Sequence, residues 1–134
     1  MSAENVTAAT RLYEAIARGD LDLVWELVDP DIELQTSPNL PDGGVYRGRE
    51  RVAAFLAEEG EIVWGGAPTL DIERVSDCGE DVLMFIRVRG HGSHTGIALD
   101  VSIAHLVTVR AGRPVRVKVF PDRQQAIEAV GLTE

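Results

Sequence analysis

The chain has 134 residues and a formal net charge of −9, which excludes a broad basic face for nucleic acid. Its apolar content of 45% is ordinary for a globular domain, and no apolar run approaches the roughly 20 residues that span a bilayer. Cys78 is the only cysteine, so no internal disulfide forms, and the absence of a basic-then-apolar leader makes a cytoplasmic location the expectation.

Residues 3–18 place Val6, Ala9, Tyr13, Ile16 and Ala17 at helical spacing, and Gly19 supplies the stop. Asp20 is positioned to cap a second helix with the stripe Leu21, Val24, Trp25 and Val28, ended by Asp29-Pro30. Residues 32–36 read as a short strand, with Ile32, Leu34 and Thr36 on one face and Glu33 and Gln35 on the other. Residues 37–44 are loop-forming, and Tyr46-Arg47-Gly48 leads into a third helix striped by Val52, Phe55, Leu56 and Glu59. Residues 62–68, with Trp64 beside two glycines, fit neither period. Residues 69–75 and 82–89 read as strands around a turn at 77–81, and a glycine-rich connection follows at 90–95.

The stretch from Gly96 to Arg123 organises the rest. Two β-branched runs flank Arg-Ala-Gly-Arg-Pro, the pattern of a long hairpin. In the second run Val115, Val117 and Val119 oppose Arg116, Lys118 and Phe120. The first run is apolar on both faces for most of its length, which predicts a central strand covered on both sides. A terminal helix over 122–130 ends at Gly131. Helices early and strands late mean α+β, in one domain over residues 1–134.

That order resembles the nuclear transport factor 2-like superfamily, and within it the SnoaL-like proteins. The resemblance is carried by Ala17-Arg-Gly-Asp-Leu-Asp, Val45-Tyr-Arg-Gly-Arg-Glu and Ala104-His-Leu-Val-Thr-Val-Arg-Ala-Gly-Arg. The most specific piece is the ending Val119-Phe-Pro-Asp-Arg-Gln-Gln-Ala-Ile-Glu-Ala-Val-Gly-Leu. It implies a cystatin-like α+β barrel: a cone-shaped, strongly curved antiparallel sheet wrapped around the N-terminal helices, with a pocket at the open end. It also implies a homodimer through the sheet face, to which the two-sided apolarity of Leu99 to Val109 adds a physical motive.

Such folds carry several chemistries, and the residues must choose among them. Ketosteroid isomerisation needs a carboxylate base with a tyrosine and a protonated aspartic acid as donors. The resemblance puts Thr36 at the base position, Ala104 at the acid position, and Tyr13 one place from the tyrosine. Two of the three groups are missing. Epoxide hydrolysis needs two aspartates bridged by an arginine; Arg87 and Arg89 share a strand, and Asp100 or Asp122 could join them only through tertiary contact. The cyclase pattern implies Asp122 as base with His105 as partner. Against this, Asp122 stands three residues before Gln125, a capping-box spacing. His105 shares a strand face with Ile103 and Val107, which is either the pocket side or the interface.

The resemblance implies an apolar pocket whose candidate lining is Tyr13, Trp25, Gln35, Tyr46, Phe55, Trp64, Arg87, Ser102 and Phe120. His91 and His94 sit three apart in a glycine-rich connection without a third ligand, so no metal is expected, nor any other cofactor. The expected ligand is a small apolar or polyketide-like molecule, with no nucleic acid and no membrane as partner. The expected function is its binding, with cofactor-independent isomerisation, cyclisation or hydration as the catalytic form. The alternative is a non-catalytic homodimeric ligand-binding or regulatory module.

Overall fold

A sheet buries one face or two according to what packs on it, and here the two faces meet different partners. The computed structural model describes residues 2–36, 44–59, 69–92 and 96–131. The elements run α1 (Ser2–Arg18), α2 (Leu21–Leu27), β1 (Glu33–Gln35), β2 (Val45–Arg47), α3 (Arg49–Glu59), β3 (Thr69–Cys78), β4 (Asp81–His91), β5 (Ala98–Arg110), β6 (Arg113–Phe120) and α4 (Arg123–Val130). The fold is α+β, with the sheet packed against the N-terminal helices.

Helix α1 forms because Ala9, Leu12, Tyr13 and Ile16 recur on one stripe, and the first three are buried. It stops at Gly19, whose φ of 73° is left-handed. There the Gly19 and Asp20 amides donate back to Ile16 and Ala15 carbonyls at 3.0 Å each. Asp20 then caps α2 by accepting from Leu23 N at 3.3 Å. The other end of α2 presents the Val28 carbonyl, which accepts from Arg49 Nη2 at 2.7 Å and Arg113 Nη1 at 3.4 Å. Two cations at a helix C-terminus oppose its dipole and tie α2 to α3 and β6. No described helix is long and apolar enough to cross a membrane.

The strand order is β2-β1-β6-β5-β4-β3. All described pairings are antiparallel except β1 with β6, which is parallel. Inner positions pack on α1: Val82, Met84, Ile86 and Val88 of β4, Val107 and Val109 of β5, Val117 of β6 and Leu34 of β1. Outer positions Leu83, Phe85, Ala104 and Phe120 form a second cluster with Ala126 and Ile127 of α4.

Three expectations are corrected. Val45–Arg47 is a strand rather than a lead-in to α3, paired with β1. Leu56 does not join the buried stripe of α3; it is 47% exposed. The strand covered on both faces along most of its length is β4. In β5 the two-sided burial holds only near its C-terminal end, because Asp100, Val101 and Ser102 are exposed.

Candidate functional site

Alternation along β5 puts Val101, Ile103, His105, Val107 and Val109 toward α1. Burial along that row falls steadily. Val107 and Val109 are packed, Ile103 and His105 are partly buried, and Val101 is 39% exposed. The inner face is therefore sealed at one end and uncovered at the other by the described residues. Ile97, just before β5, is 62% exposed at the same end.

His105 stands where packing gives way to exposure. Its Nδ1 lies 2.6 Å from Tyr13 Oη, with the rings edge-on at 5.6 Å between centroids. Tyr13 sits on the buried stripe of α1 and is only 4% exposed. Desolvation raises the Tyr13 phenol above its ordinary range and pushes His105 down to about 4. Both groups are thus neutral at physiological pH, and the bond joins two uncharged partners. Its short length is that of a well-formed hydrogen bond with the hydroxyl.

This settles the face of His105: it points toward α1, together with Ile103 and Val107. It also corrects the register of the isomerase resemblance. Ala104 is buried in the outer cluster under α4, so the β5 residue opposite Tyr13 is His105. A one-residue offset turns a side chain to the other face. Thr36 is occupied structurally, since its hydroxyl accepts from Gly44 N at 2.8 Å and contacts Gly44 O at 3.3 Å.

Asp122 is the N-cap of α4. Its carboxylate accepts from Gln124 N at 2.8 Å, on an exposed turn, and no described contact joins it to His105. The two residues expected as a catalytic pair are not brought together among the described residues.

The candidate lining residues divide by face. Trp25 packs on the inner cluster, as do Tyr46 and Phe55, whose rings stack at 4.2 Å. Trp64 lies outside the described residues, as does His94. Four others lie on the outer face, away from Tyr13 and His105. Gln35 donates to Glu33 Oε2 at 2.6 Å, on the face opposite buried Leu34. Arg87 and Ser102 are register partners beyond Phe85 and Ala104. Phe120 packs under α4, with Lys118 Nζ at 5.2 Å from its ring. The sheet thus turns the polar strand residues Gln35, Arg87 and Ser102 to its outer surface rather than toward Tyr13 and His105.

That surface carries an ion-pair chain, in which Asp100 joins Arg87 and Arg89 through tertiary contact. Asp71 meets Arg89 at 3.4 Å, Arg89 meets Asp100 at 4.0 Å, and Arg87 grips Asp100 with bonds of 2.7 and 2.6 Å. Glu73 extends it to Arg87 at 4.0 Å and to Arg123 at 2.5 Å. The hydrogen bond from Arg87 holds the Asp100 carboxyl below its usual range and raises the guanidinium in turn. The Asp71–Arg89–Asp100 arrangement has the composition of two aspartates bridged by an arginine, but its side chains are about half exposed, at 48%, 50% and 47%. Such carboxylates lack the enclosure that perturbs catalytic acids.

A separate cleft of about 350 Å³ is lined by Ala3, Glu4, Thr7, Ala8, Arg11, Leu27, Gly112 and Pro114. It contains neither Tyr13 nor His105. Among the described residues no group of three or more His, Cys, Asp or Glu side chains could hold a metal.

A sequence profile described as the SnoaL-like domain matches residues 9–117. The uncharacterized protein Rv0034 of Mycobacterium tuberculosis is 34% identical over 111 residues, covering 82% of each chain. Among solved structures, a nuclear transport factor 2-like protein of unknown function from Burkholderia pseudomallei superposes with a TM-score of 0.78. It is 22% identical and covers 97% of this chain and 98% of its own. TerC, co-crystallised with polyporic acid, superposes with a TM-score of 0.78 at 21% identity, covering 96% and 98%.

Proposed function

The chain belongs to the SnoaL-like domain family, and on that premise we propose that it binds a small, largely apolar molecule against the open end of its inner sheet face. One observation carries this reading: the Tyr13–His105 pair stands where, among the described residues, the packed interior gives way through partly buried Ile103 to exposed Val101. An apolar wall with one neutral polar handle is the general make-up of a ligand site. The co-crystallisation of TerC with polyporic acid supports a small organic ligand on this fold.

Binding is the first reading and catalysis the second. General acid–base chemistry needs a group that takes a proton near neutral pH. His105 is a poor base once desolvation has pushed it to about 4, and Asp122 is engaged as an exposed cap. What favours a catalytic form is His105 as a neutral hydrogen-bond donor, the role of an electrophile rather than a base. No cofactor is needed for either reading. The homodimer through the outer sheet face is part of the same proposal, and its support is the self-complementary charge chain on that face.

The test uses Val101→Arg, a change at a position that is 39% exposed. Wild-type protein is incubated with a mixture of small metabolites and read by native mass spectrometry. The expected result is capture of an apolar molecule by the wild type and its loss in Val101→Arg. Equal capture by both would place the ligand elsewhere.

A further inference from the structure

We infer that Tyr13 is a positioning residue that fixes the tautomer of His105, so that the free ring nitrogen offers a proton and the site selects ligands presenting an acceptor oxygen. This deepens the binding reading above and rests on it.

The geometry assigns the direction of the bond. A neutral imidazole has one protonated nitrogen and one bare one, and its partner decides which. Tyr13 is buried on α1, and among the described residues its hydroxyl meets no acceptor but His105 Nδ1, at 2.6 Å. Were Nδ1 the donor, the phenol hydrogen would be buried without an acceptor, which folded proteins avoid. With Tyr13 donating to Nδ1, every polar atom of the pair inside the protein is satisfied. Nε2 then carries the hydrogen, and it has no partner among the described residues.

The surroundings keep the arrangement neutral. The inner positions nearest on the same and neighbouring strands are Ile103, Val107, Met84 and Val119, the last two being the cross-strand partners of His105. No charged side chain occupies those positions, and the depressed basicity of the ring agrees with that apolar setting. Tyr13 itself stays out of reach of a ligand, because its hydroxyl is spent on Nδ1. The relay therefore runs from a buried phenol to a partly exposed imidazole, and only the imidazole touches the ligand.

The chemical class follows. A ketone, quinone or enol oxygen accepts from Nε2–H; a ligand whose only polar group is a donor leaves Nε2–H unpaired. A site built to hydrogen-bond one group rejects the analogue that lacks it.

Two measurements test this. First, the imidazole 15N shifts of the unliganded wild type distinguish a bare from a protonated nitrogen. The expected result is bare Nδ1 and protonated Nε2, with Tyr13→Phe giving a mixture. The opposite tautomer in the wild type would overturn the inference without any ligand. Second, 2-acetylnaphthalene is compared with 2-isopropenylnaphthalene, which has CH2 in place of the carbonyl oxygen. The ketone is expected to bind about tenfold more tightly, which is about 1.4 kcal/mol. Its bound carbonyl stretch is expected to shift to lower frequency, and His105→Phe to abolish both the preference for the ketone and that shift. If both probes bind equally, the polarity rule fails and the binding face stands. If neither binds, the binding face itself fails.

Discussion

His105 and Asp122 are the two residues expected to share a task, and the fold gives them separate ones. Desolvation lowers His105 from an ordinary value near 6.5 to about 4, so between those values the unfolded chain binds more protons than the folded one. Stability from this group is full above pH 6.5 and falls as the pH drops toward 4. The shift corresponds to about 2 kcal/mol once the partial exposure of the ring is discounted. Melting the wild type and His105→Gln from pH 7 to pH 4 is expected to show the wild type losing that much relative to the variant. Parallel curves would remove the buried neutral histidine. Asp122 follows the arithmetic of caps instead: Asp122→Asn is expected to leave stability unchanged and Asp122→Ala to cost about 1 kcal/mol. An Asp122→Ala protein with an unaltered denaturation midpoint would show the Gln124 bond to be idle. The cap was legible because Asp-Arg-Gln-Gln is a local pattern. The partner of His105 was not, since Tyr13 lies 92 residues away and only the packing of α1 on β5 joins them.

Among the elements, those with long periods were readable and those without were not. Helix α1 and the β5–β6 hairpin declare themselves over many residues, whereas β2 is three residues long and its Val-Tyr-Arg has no period to show. Strand β4 is buried on both faces, so its alternation cannot say which side Arg87 takes. The outer position of Arg87 comes from its neighbours Asp100 and Glu73, a tertiary fact. The hairpin also holds a local conflict. Its two-residue turn puts Ala111 at φ 51° and Gly112 at φ 76°, both left-handed. That is the turn for which Asn-Gly is preferred, and alanine there carries a steric cost that asparagine tolerates better. Ala111→Asn is therefore expected to stabilise the protein by about 0.5–1 kcal/mol, seen as a melting temperature a few degrees higher. A lower melting temperature would mean that the turn relaxes in solution and stores no strain.

At the scale of the whole molecule, the question is what meets the outer sheet face. Two-sided apolarity of β5 no longer supplies the motive for a dimer, because Asp100 and Ser102 occupy the outer positions beyond Ala104. What that face presents is the chain Asp71–Arg89–Asp100–Arg87–Glu73–Arg123, alternating in sign and balanced between acids and bases. A second copy related by a two-fold axis can set acids against bases across such a surface, as isologous contact requires. Charge matching of this kind contributes attraction that salt screens, while apolar contact is not weakened in that way. Light scattering at micromolar protein is accordingly expected to show a dimer at low ionic strength whose population falls as salt is raised through about 0.5 M, where screening lengths shrink to a few Å. Arg87→Glu is expected to shift the low-salt protein toward monomer, since it sets like charges beside Asp100 and Glu73 and breaks the alternation. A monomer at low salt would end the proposal. A dimer indifferent to both salt and Arg87→Glu would move the interface off this face, toward the exposed apolar positions Val45 and Leu56 near β2 and α3.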